Sequence, residues 1–382
     1  HSYKNRTVAD SRSDNIQSNI FKLFSVSYYP FRVINMVNAA LIGGEQSGKT
    51  TLASKLGKKG TESDIVLYNF VKGDNILAVI DPVGYPKSPK PLVNAANMSD
   101  VIVFCVDAKG LDARAGECII MLDLIRPKHG LITITKTDTS NPYAIDELKN
   151  KIKLLTKGTV LESWEILPTS TKSFEGVDRL KEILFEIDNQ LKEENKALND
   201  RPARVSIDHH FNVTGVGTVI LGYVRQGTIH VKEKLLAWPI RQEAEIRSIQ
   251  MNDVDVKEAP TGSRVGLALK NVQSKDLDRG YIISRNEDVG DIFVLNCTTA
   301  KFKGEFKPGD KIHVYAGLQS SPGNVVEILK DGKKVEATKS SGKYIVHIKT
   351  DKELAYISGD LFLLSRLEDP KQRFLASGII NR

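Results

Sequence analysis

The 382-residue chain holds only three cysteines, and Cys105, Cys118 and Cys297 fall singly, with no C-x-x-C spacing. They read as reduced thiols of a cytoplasmic protein and argue against a protein zinc site. No stretch reaches the roughly 18 uninterrupted apolar residues that spanning a bilayer requires, so no membrane partner is expected. The N-terminus lacks the charged-then-apolar pattern, ending in small residues, that marks a secretory signal. What remains is an ordinary soluble composition, 41% hydrophobic and 26% charged. The length exceeds one typical core and predicts two or three domains at about 150 residues each. A net charge of +7 allows a polyanionic partner such as nucleic acid, although many basic proteins simply carry solvated lysines.

The most informative segment is a short apolar strand, Ala39-Ala40-Leu41-Ile42, running into Gly43-Gly44-Glu45-Gln46-Ser47-Gly48-Lys49-Thr50, with Thr51 next. This is a complete G-x-x-x-x-G-K-T loop. A strand that delivers a glycine-rich turn to a helix start brings free backbone N–H groups and the positive helix end to a phosphate chain. Lys49 would neutralise the β and γ phosphates, and the Thr50 hydroxyl would sit on a bridging Mg²⁺.

From Met36 to about Ala197, apolar strands alternate with helical patterns, which predicts an α/β domain: a doubly wound, mostly parallel sheet covered on both faces. The strands fall at Val37–Ile42, Ile65–Val71, Ile76–Ile80, Val101–Val106, Leu131–Thr135 and Glu165–Pro168, and Lys72-Gly73-Asp74-Asn75 makes a hairpin of the second and third. Further motifs follow at strand ends, where such sheets bind ligands. In Asp81-Pro82-Val83-Gly84 the carboxylate suits water-mediated Mg²⁺ contact and the Gly84 N–H a γ-phosphate. In Thr135-Lys136-Thr137-Asp138 the last carboxylate can accept two hydrogen bonds from a guanine edge that adenine does not offer, a contact of about 1.5–3 kcal/mol. Ser170-Thr171-Lys172 would supply a backbone N–H for guanine O6. Each string is weak alone; in this order, each at a strand end, they favour GTP over ATP.

With those motifs in place, the module resembles the GTPase domain of translational GTPases. The elongation-factor pattern D-C-P-G-H ends in a His that positions the attacking water, whereas here Tyr85 stands there and Val83 replaces the Pro. A phenol is a poor general base near neutral pH, so the resemblance with this departure implies slow, absent or ribosome-dependent hydrolysis. Thr135 replaces the usual Asn of N-K-x-D, as in other GTPase families. The stretch from Thr51 to Ile80 is short, and Gly60-Thr61-Glu62-Ser63-Asp64 is the one polar loop able to supply a second Mg²⁺-binding threonine, Thr61; a plain turn is the equal alternative.

After Asn199-Asp200-Arg201-Pro202, a linker-like stretch, helical periodicity disappears and short strands between Gly, Pro and Asp turns predict two all-β barrels. Asp208-His209-His210-Phe211-Asn212-Val213, Gly222-Tyr223-Val224-Arg225-Gln226-Gly227, Ile246-Arg247-Ser248-Ile249-Gln250 and Gly262-Ser263-Arg264-Val265-Gly266-Leu267 resemble the second domain of translational GTPases, and Asp208-His209-x-Phe211 is similar to the SelB, selenocysteine-specific type. That resemblance implies an aminoacyl pocket of Asp208, His209 and Arg264, with Phe211 beside them; bracing of strand ends is the alternative. The close of the chain, Gly359-Asp360-Leu361-Phe362-Leu363-Leu364-Ser365-Arg366 then Gly378-Ile379-Ile380, resembles the third domain, whose Lys330, Lys333, Lys334 and Lys343 are candidate phosphate contacts.

The resemblance therefore implies GTP/GDP and Mg²⁺ as cofactors, aminoacyl-tRNA and the ribosome as partners, a monomer, and cytoplasmic localisation. Expected divisions are an N-terminal extension over 1–35, with Met36 as the natural start or a docked helix at Ile20–Val26; a P-loop GTPase domain over 36–197; and barrels over 203–284 and 285–382. The resemblance ends with the third domain, leaving no room for the fourth domain of SelB, and the kind of factor implied is an archaeal SelB-like one for an unusual aminoacyl-tRNA such as pyrrolysyl-tRNA. Two other readings stay open: a GTP-binding RNA- or ribosome-associated adaptor that does not turn over, and an ATP-dependent enzyme sharing the P-loop.

Overall fold

The structure is a computed structural model that describes residues 35–72, 75–370 and 372–381. The expected N-terminal extension, its helix at Ile20–Val26 included, lies outside the described residues except for Asn35, as do Gly73 and Asp74 of the expected hairpin.

The first module contains β1 (Asn35–Gly43), α1 (Lys49–Leu56), β2 (Lys58–Glu62), β3 (Val66–Lys72), β4 (Asn75–Asp81), α2 (Lys90–Asn97), β5 (Val101–Asp107), α3 (Ala113–Ile125), β6 (Gly130–Thr135), α4 (Pro142–Thr156), β7 (Ile166–Pro168) and α5 (Val177–Asn199). The sheet order is β2-β3-β4-β1-β5-β6-β7. Strand β1 pairs in parallel with β4 and with β5, so the loop leaving its C-terminal end emerges mid-sheet. Alternate β1 side chains point to opposite faces. Val37, Ala39 and Leu41 join a core with α1 and α5, while Ala40 and Ile42 join one with α2, α3 and α4. This two-sided burial is why the strand reads as a continuous apolar run.

The expected polar loop at 60–64 is corrected. Lys58–Glu62 forms edge strand β2, antiparallel to β3 with a register shift between Lys59 and Glu62. Its sequence, Lys-Lys-Gly-Thr-Glu, has no apolar alternation, because an edge strand of this kind buries little; the backbone pairing alone defines it.

Strands β8 (Arg204–Val213), β9 (Gly217–Gln226), β10 (Ile229–His230), β11 (Lys234–Trp238), β12 (Gln242–Met251), β13 (Val254–Val256), β14 (Glu258–Ala259), β15 (Arg264–Lys270) and β16 (Ile282–Ser284) build the second module. Its sheet runs β11-β16-β8-β9-β15-β12, and β12 closes on β11. The third contains β17 (Asp288–Thr299), β18 (Lys311–Ala316), β19 (Gln319–Lys330), β20 (Lys333–Lys334), β21 (Lys343–Tyr356), β22 (Phe362–Ser365) and β23 (Phe374–Ile380). It runs β18-β22-β23-β17-β21-β19 and closes through β18 and β19. The fold is thus a mixed α/β sheet followed by two antiparallel barrels, as the sequence predicted. Closure leaves neither barrel an open edge.

The modules are not beads on a string. Tyr315, Leu318, Leu363 and Phe374 of the third module lie in the same core as α2 and α3 of the first. Glu117 on α3 is held by Arg373, whose Nε and Nη2 donate at 2.8 and 2.6 Å. Arg204 links the barrels, donating to Glu287 at 2.8 and 2.9 Å and to Asp360 at 3.0 Å. Asp100, at the start of β5, accepts from the Asn38 backbone at 2.8 Å and from the Tyr223 hydroxyl of the second module. The three cysteines are buried free thiols, and burial pushes each up to about 12. Among the described residues no helix is long and apolar enough to cross a membrane.

Candidate functional site

The loop after β1 wraps toward the N-terminus of α1. Gly48 caps that helix with φ 78°, a left-handed conformation natural to glycine, and a Cβ there would stand 2.9 Å from Thr135 Oγ1. At Gly43 a Cβ would come within 2.4 Å of the Cys105 carbonyl oxygen. Lys49 is buried and curls back, donating to the Gly43 and Gly44 carbonyls at 3.1 and 2.7 Å. Glu45, Gln46, Thr50 and Thr51 are exposed, and Ser47 is tucked under the loop, its hydroxyl donating to Gly44 O at 2.9 Å. A turn with free N–H groups and an ammonium inside is a cradle for phosphate oxygens.

Thr50 Oγ1 donates to Asp81 Oδ2 at 2.6 Å, and the other Asp81 oxygen is buried without a hydrogen-bond partner. Burial raises the Asp81 pKa, against the lowering pull of Thr50 and of the Lys49 charge. A threonine hydroxyl and a carboxylate with an orphaned oxygen, beside the phosphate cradle, fit the hard-oxygen preference of Mg²⁺. Gly84 follows on the same loop, and its N–H donates to Asp64 O at 2.9 Å. The backbone of Thr61 lies in strand β2, and not in the polar loop or plain turn that the sequence suggested.

The T-K-x-D segment braces the phosphate loop directly. Thr135 Oγ1 donates to Ser47 O at 2.7 Å, and Lys136 Nζ to Gln46 O at 2.7 Å and to Asp107 Oδ2 at 2.6 Å. Asp107, a partner that sequence motifs did not mark, has its pKa lowered because Lys136 and the Lys109 N–H outweigh partial burial. Asp138 is exposed, and Ser170 Oγ donates to its Oδ1 at 2.6 Å, which orients the carboxylate. The Ser170 N–H is engaged by Glu175 O and that of Lys172 by Ser170 Oγ; Thr171 N–H has no such partner among the described residues. The two strand-end segments therefore form one polar rim beside the phosphate loop.

Tyr85 is 3% exposed and does not line that rim. Its hydroxyl donates to Glu117 Oε2 at 2.8 Å and lies 3.1 Å from Arg114 O, and Arg373 of the third module lies over its ring at 5.5 Å. Burial and the adjacent Glu117 and Cys118 push the phenol far above its ordinary pKa. In this arrangement Tyr85 is a neutral tie between modules, with its hydroxyl already committed. Glu117 and Arg373, the residues it ties, were not legible in sequence: they are 256 positions apart.

In the second module, β8 carries a register shift between Ile207 and His209, and Asp208 sits at it. Such bulges re-aim side chains. Asp208 is 3% exposed; His209 Nδ1 is 3.1 Å and Arg264 Nη2 3.8 Å from its Oδ2. Burial would raise the Asp208 pKa, but His209, Arg279 and Arg264 hold it well below the ordinary carboxylate range. Arg264 opens β15 opposite Tyr223. Phe211 and Arg264 both line a cavity of about 160 Å³, whose far wall is Met36, Leu67 and Ile76 of the first module. The structure thus brings Asp208, His209 and Arg264 together and places Phe211 at the same cleft. It adds Arg279, which no motif marked. The neighbouring Asp278 offered a local partner in sequence, yet Asp278 pairs with Lys352 at 3.6 Å and Arg279 reaches across modules instead. The candidate phosphate-binding lysines lie exposed on and near the β19–β20 turn, with Lys334 paired to Glu327 and Lys330 over the Tyr344 ring at 5.7 Å.

Residues 217–284 match the family model described as elongation factor Tu domain 2. An uncharacterized protein of Methanocaldococcus jannaschii is 32% identical over 319 residues, covering 82% of this chain and 91% of that protein. The selenocysteine-specific elongation factor of the same organism is 28% identical over 362 residues, 87% of this chain and 76% of its own. Translation elongation factor SelB of Methanococcus maripaludis, solved in its apo form, superposes with a TM-score of 0.79 at 26% identity, over 92% of this chain and 80% of that one. The same factor solved with the GTP analogue GppNHp also gives a TM-score of 0.79, over 93% and 80%.

Proposed function

This chain belongs to the SelB/EF-Tu-like translational GTPases, and from that premise we propose that it is a GTP-dependent elongation factor carrying a specialised aminoacyl-tRNA to the ribosome. In this reading residues 36–197 bind and turn over the nucleotide, and the barrels over 203–284 and 285–382 share the tRNA.

The observation that carries the proposal is the joining of two sites in one body. The phosphate cradle and the Asp138–Ser170 rim lie at strand ends of the first sheet, and Arg264, which stands beside Asp208, lines a cleft whose other wall is Met36, Leu67 and Ile76 of the same module. Lys49 exchanges its carbonyl partners for the β and γ phosphate oxygens, and Gly84 N–H serves the γ-phosphate. Asp138 accepts the guanine N1–H and N2 edge, and Thr171 N–H faces O6. Thr50 and Asp81 would hold Mg²⁺, which when bound would offset the negative charge of the phosphate chain. Asp208, kept ionised, suits the free α-amino group of the ester, and Arg264 an anionic or polar side chain. The phenol of Tyr85, neutral and already hydrogen-bonded, offers no base for the attacking water, so hydrolysis is slow without the ribosome.

That last feature also favours the second reading, a GTP-binding adaptor of RNA or ribosomes that does not turn over. Equilibrium binding of charged and uncharged tRNA, with a GTP analogue and with GDP, separates the two. The carrier binds a charged species preferentially in the triphosphate form, with seryl-, selenocysteinyl-, pyrrolysyl- and standard aminoacyl-tRNAs as the panel. An adaptor shows no dependence on the esterified amino acid.

A further inference from the structure

The segment joining β15 to β16 carries a guanidinium set between two carboxylates from different modules. Arg279 Nη1 donates to both oxygens of Asp64, at 2.8 and 3.0 Å, and its Nη2 stands 2.7 Å from Asp208 Oδ1. Its position is fixed by backbone pairing. Gly280 N donates to Ile207 O and Ile207 N to Tyr281 O, both at 2.8 Å, so the segment is laid against the residue preceding Asp208. On the other side, Asp64 is held to the D-x-x-G loop. Gly84 N donates to Asp64 O at 2.9 Å, and a Cβ at Gly84 would stand 3.2 Å from that oxygen. A continuous chain of polar contacts therefore runs from Gly84 through Asp64 and Arg279 to Asp208.

This chain is built to open. The Gly84 N–H is a single donor and does not serve both Asp64 O and a terminal phosphate oxygen at full strength. Asp208 Oδ1, Arg279 Nε and Arg279 Nη2 are buried atoms with no hydrogen bond, so the contact between these side chains rests on charge and not on aligned donors. Passing toward Asp208 gives up the two Asp64 hydrogen bonds but offers directional partners to Arg279 Nε, Arg279 Nη2 and Asp208 Oδ1, none of which is hydrogen-bonded, and Asp208 retains His209 and Arg264 beside it.

We propose that Arg279 is a coupling residue between the nucleotide site and the aminoacyl pocket, an inference that rests on the function proposed above. With Gly84 N–H on Asp64 O, the guanidinium is divided between Asp64 and Asp208. When Gly84 N–H turns to a γ-phosphate oxygen, Asp64 is released and the guanidinium passes to the pocket, which becomes more positive and receptive to an anionic aminoacyl group. Both sites bias one two-state element, and linkage makes the coupling reciprocal. The bridge therefore opposes a triphosphate and is indifferent to a diphosphate.

The test needs no tRNA. Affinities for GDP and for a non-hydrolysable GTP analogue, with Mg²⁺, are measured on the full chain, on Arg279→Ala, on Asp64→Asn and on the double variant. Each single variant is expected to raise affinity for the analogue about fivefold or more, at the lower edge of ordinary coupling energies, and to leave GDP within about twofold. The double variant is expected to match the larger single effect, because both substitutions cut one bridge. An unchanged analogue-to-GDP ratio in both variants, or parallel loss of both nucleotides, would overturn the coupling; the latter is what a merely structural role produces. A wild-type chain that binds neither nucleotide would instead remove the proposed function, and the coupling with it.

Discussion

Removing Arg373 should loosen the first module from the third, and the structure sets the size of the effect. The Glu117 side chain is fully buried and that of Arg373 is 6% exposed. Glu117 accepts from Arg373 N, Nε and Nη2 at 3.0, 2.8 and 2.6 Å, from the Tyr85 hydroxyl at 2.8 Å and from Arg114 Nη1 at 3.4 Å. Arg373→Ala takes away the guanidinium and leaves a buried carboxylate with one backbone N–H, one phenol and a partly exposed arginine. Breaking a buried pair from one side costs about 3–5 kcal/mol, and the surviving partners put this case near the lower end, about 3 kcal/mol. With a urea m-value of about 3 kcal/mol/M, the unfolding midpoint falls by about 1 M. The double variant Glu117→Leu with Arg373→Met removes both charges and should recover most of that loss, since an apolar replacement of an ion pair is often neutral. Acid supplies a second arm. Burial would raise the Glu117 pKa, but Arg373 and Tyr85 bring it below its ordinary value near 4.5. A depressed folded pKa gives stability that is complete above the ordinary value and is lost as pH falls through the folded one. Urea midpoints measured downward from pH 5 should therefore fall more steeply in wild type than in Glu117→Gln. A shift under about 0.3 M for Arg373→Ala, or a double variant no better than the single, would refute the latch.

Three further outcomes follow from the site. Asp138→Asn should shift nucleotide preference from guanosine toward xanthosine, because the amide presents a donor where the carboxylate accepted; competition binding reads this, and retained GTP preference would count against the guanine rim. Tyr85→Phe should leave single-turnover hydrolysis within about twofold and cost about 1 kcal/mol of stability, since only hydroxyl contacts to Glu117 and Arg114 are lost; a hydrolysis defect of tenfold or more would return the phenol to the chemistry. Gly48→Ala should weaken GDP binding in calorimetry, because a Cβ at φ 78° meets Thr135 Oγ1 at 2.9 Å; undiminished affinity would mean that the loop adjusts freely.

The inner strands β1, β4, β5 and β6 were legible because each is buried on both faces and flanked by turn residues: Ile76–Ile80 falls inside β4, Leu131–Thr135 inside β6. Strand β2 was not, since its residues carry no apolar signal and pairing with β3 alone makes it a strand. In the third module β21 continues to Tyr356 through Asp351-Lys352-Glu353, where charge hides a paired backbone. The phosphate loop and the pocket trio were legible as local strings. The contacts that join them were not: Asp64, Asp208 and Arg279 meet only by the packing of one module on another, and Glu117 meets Arg373 across the chain. Tyr85 was marked for attention by its place after Gly84, and only the fold revealed that its hydroxyl faces Glu117.

The most direct test of the carrier function is protection of aminoacyl ester bonds from spontaneous hydrolysis, followed for charged tRNAs in the presence of this protein with GTP or with GDP. The account predicts that one charged species is protected with GTP and decays at its free rate with GDP. Equal decay of every species in both nucleotides, from protein that demonstrably holds GTP, would contradict it.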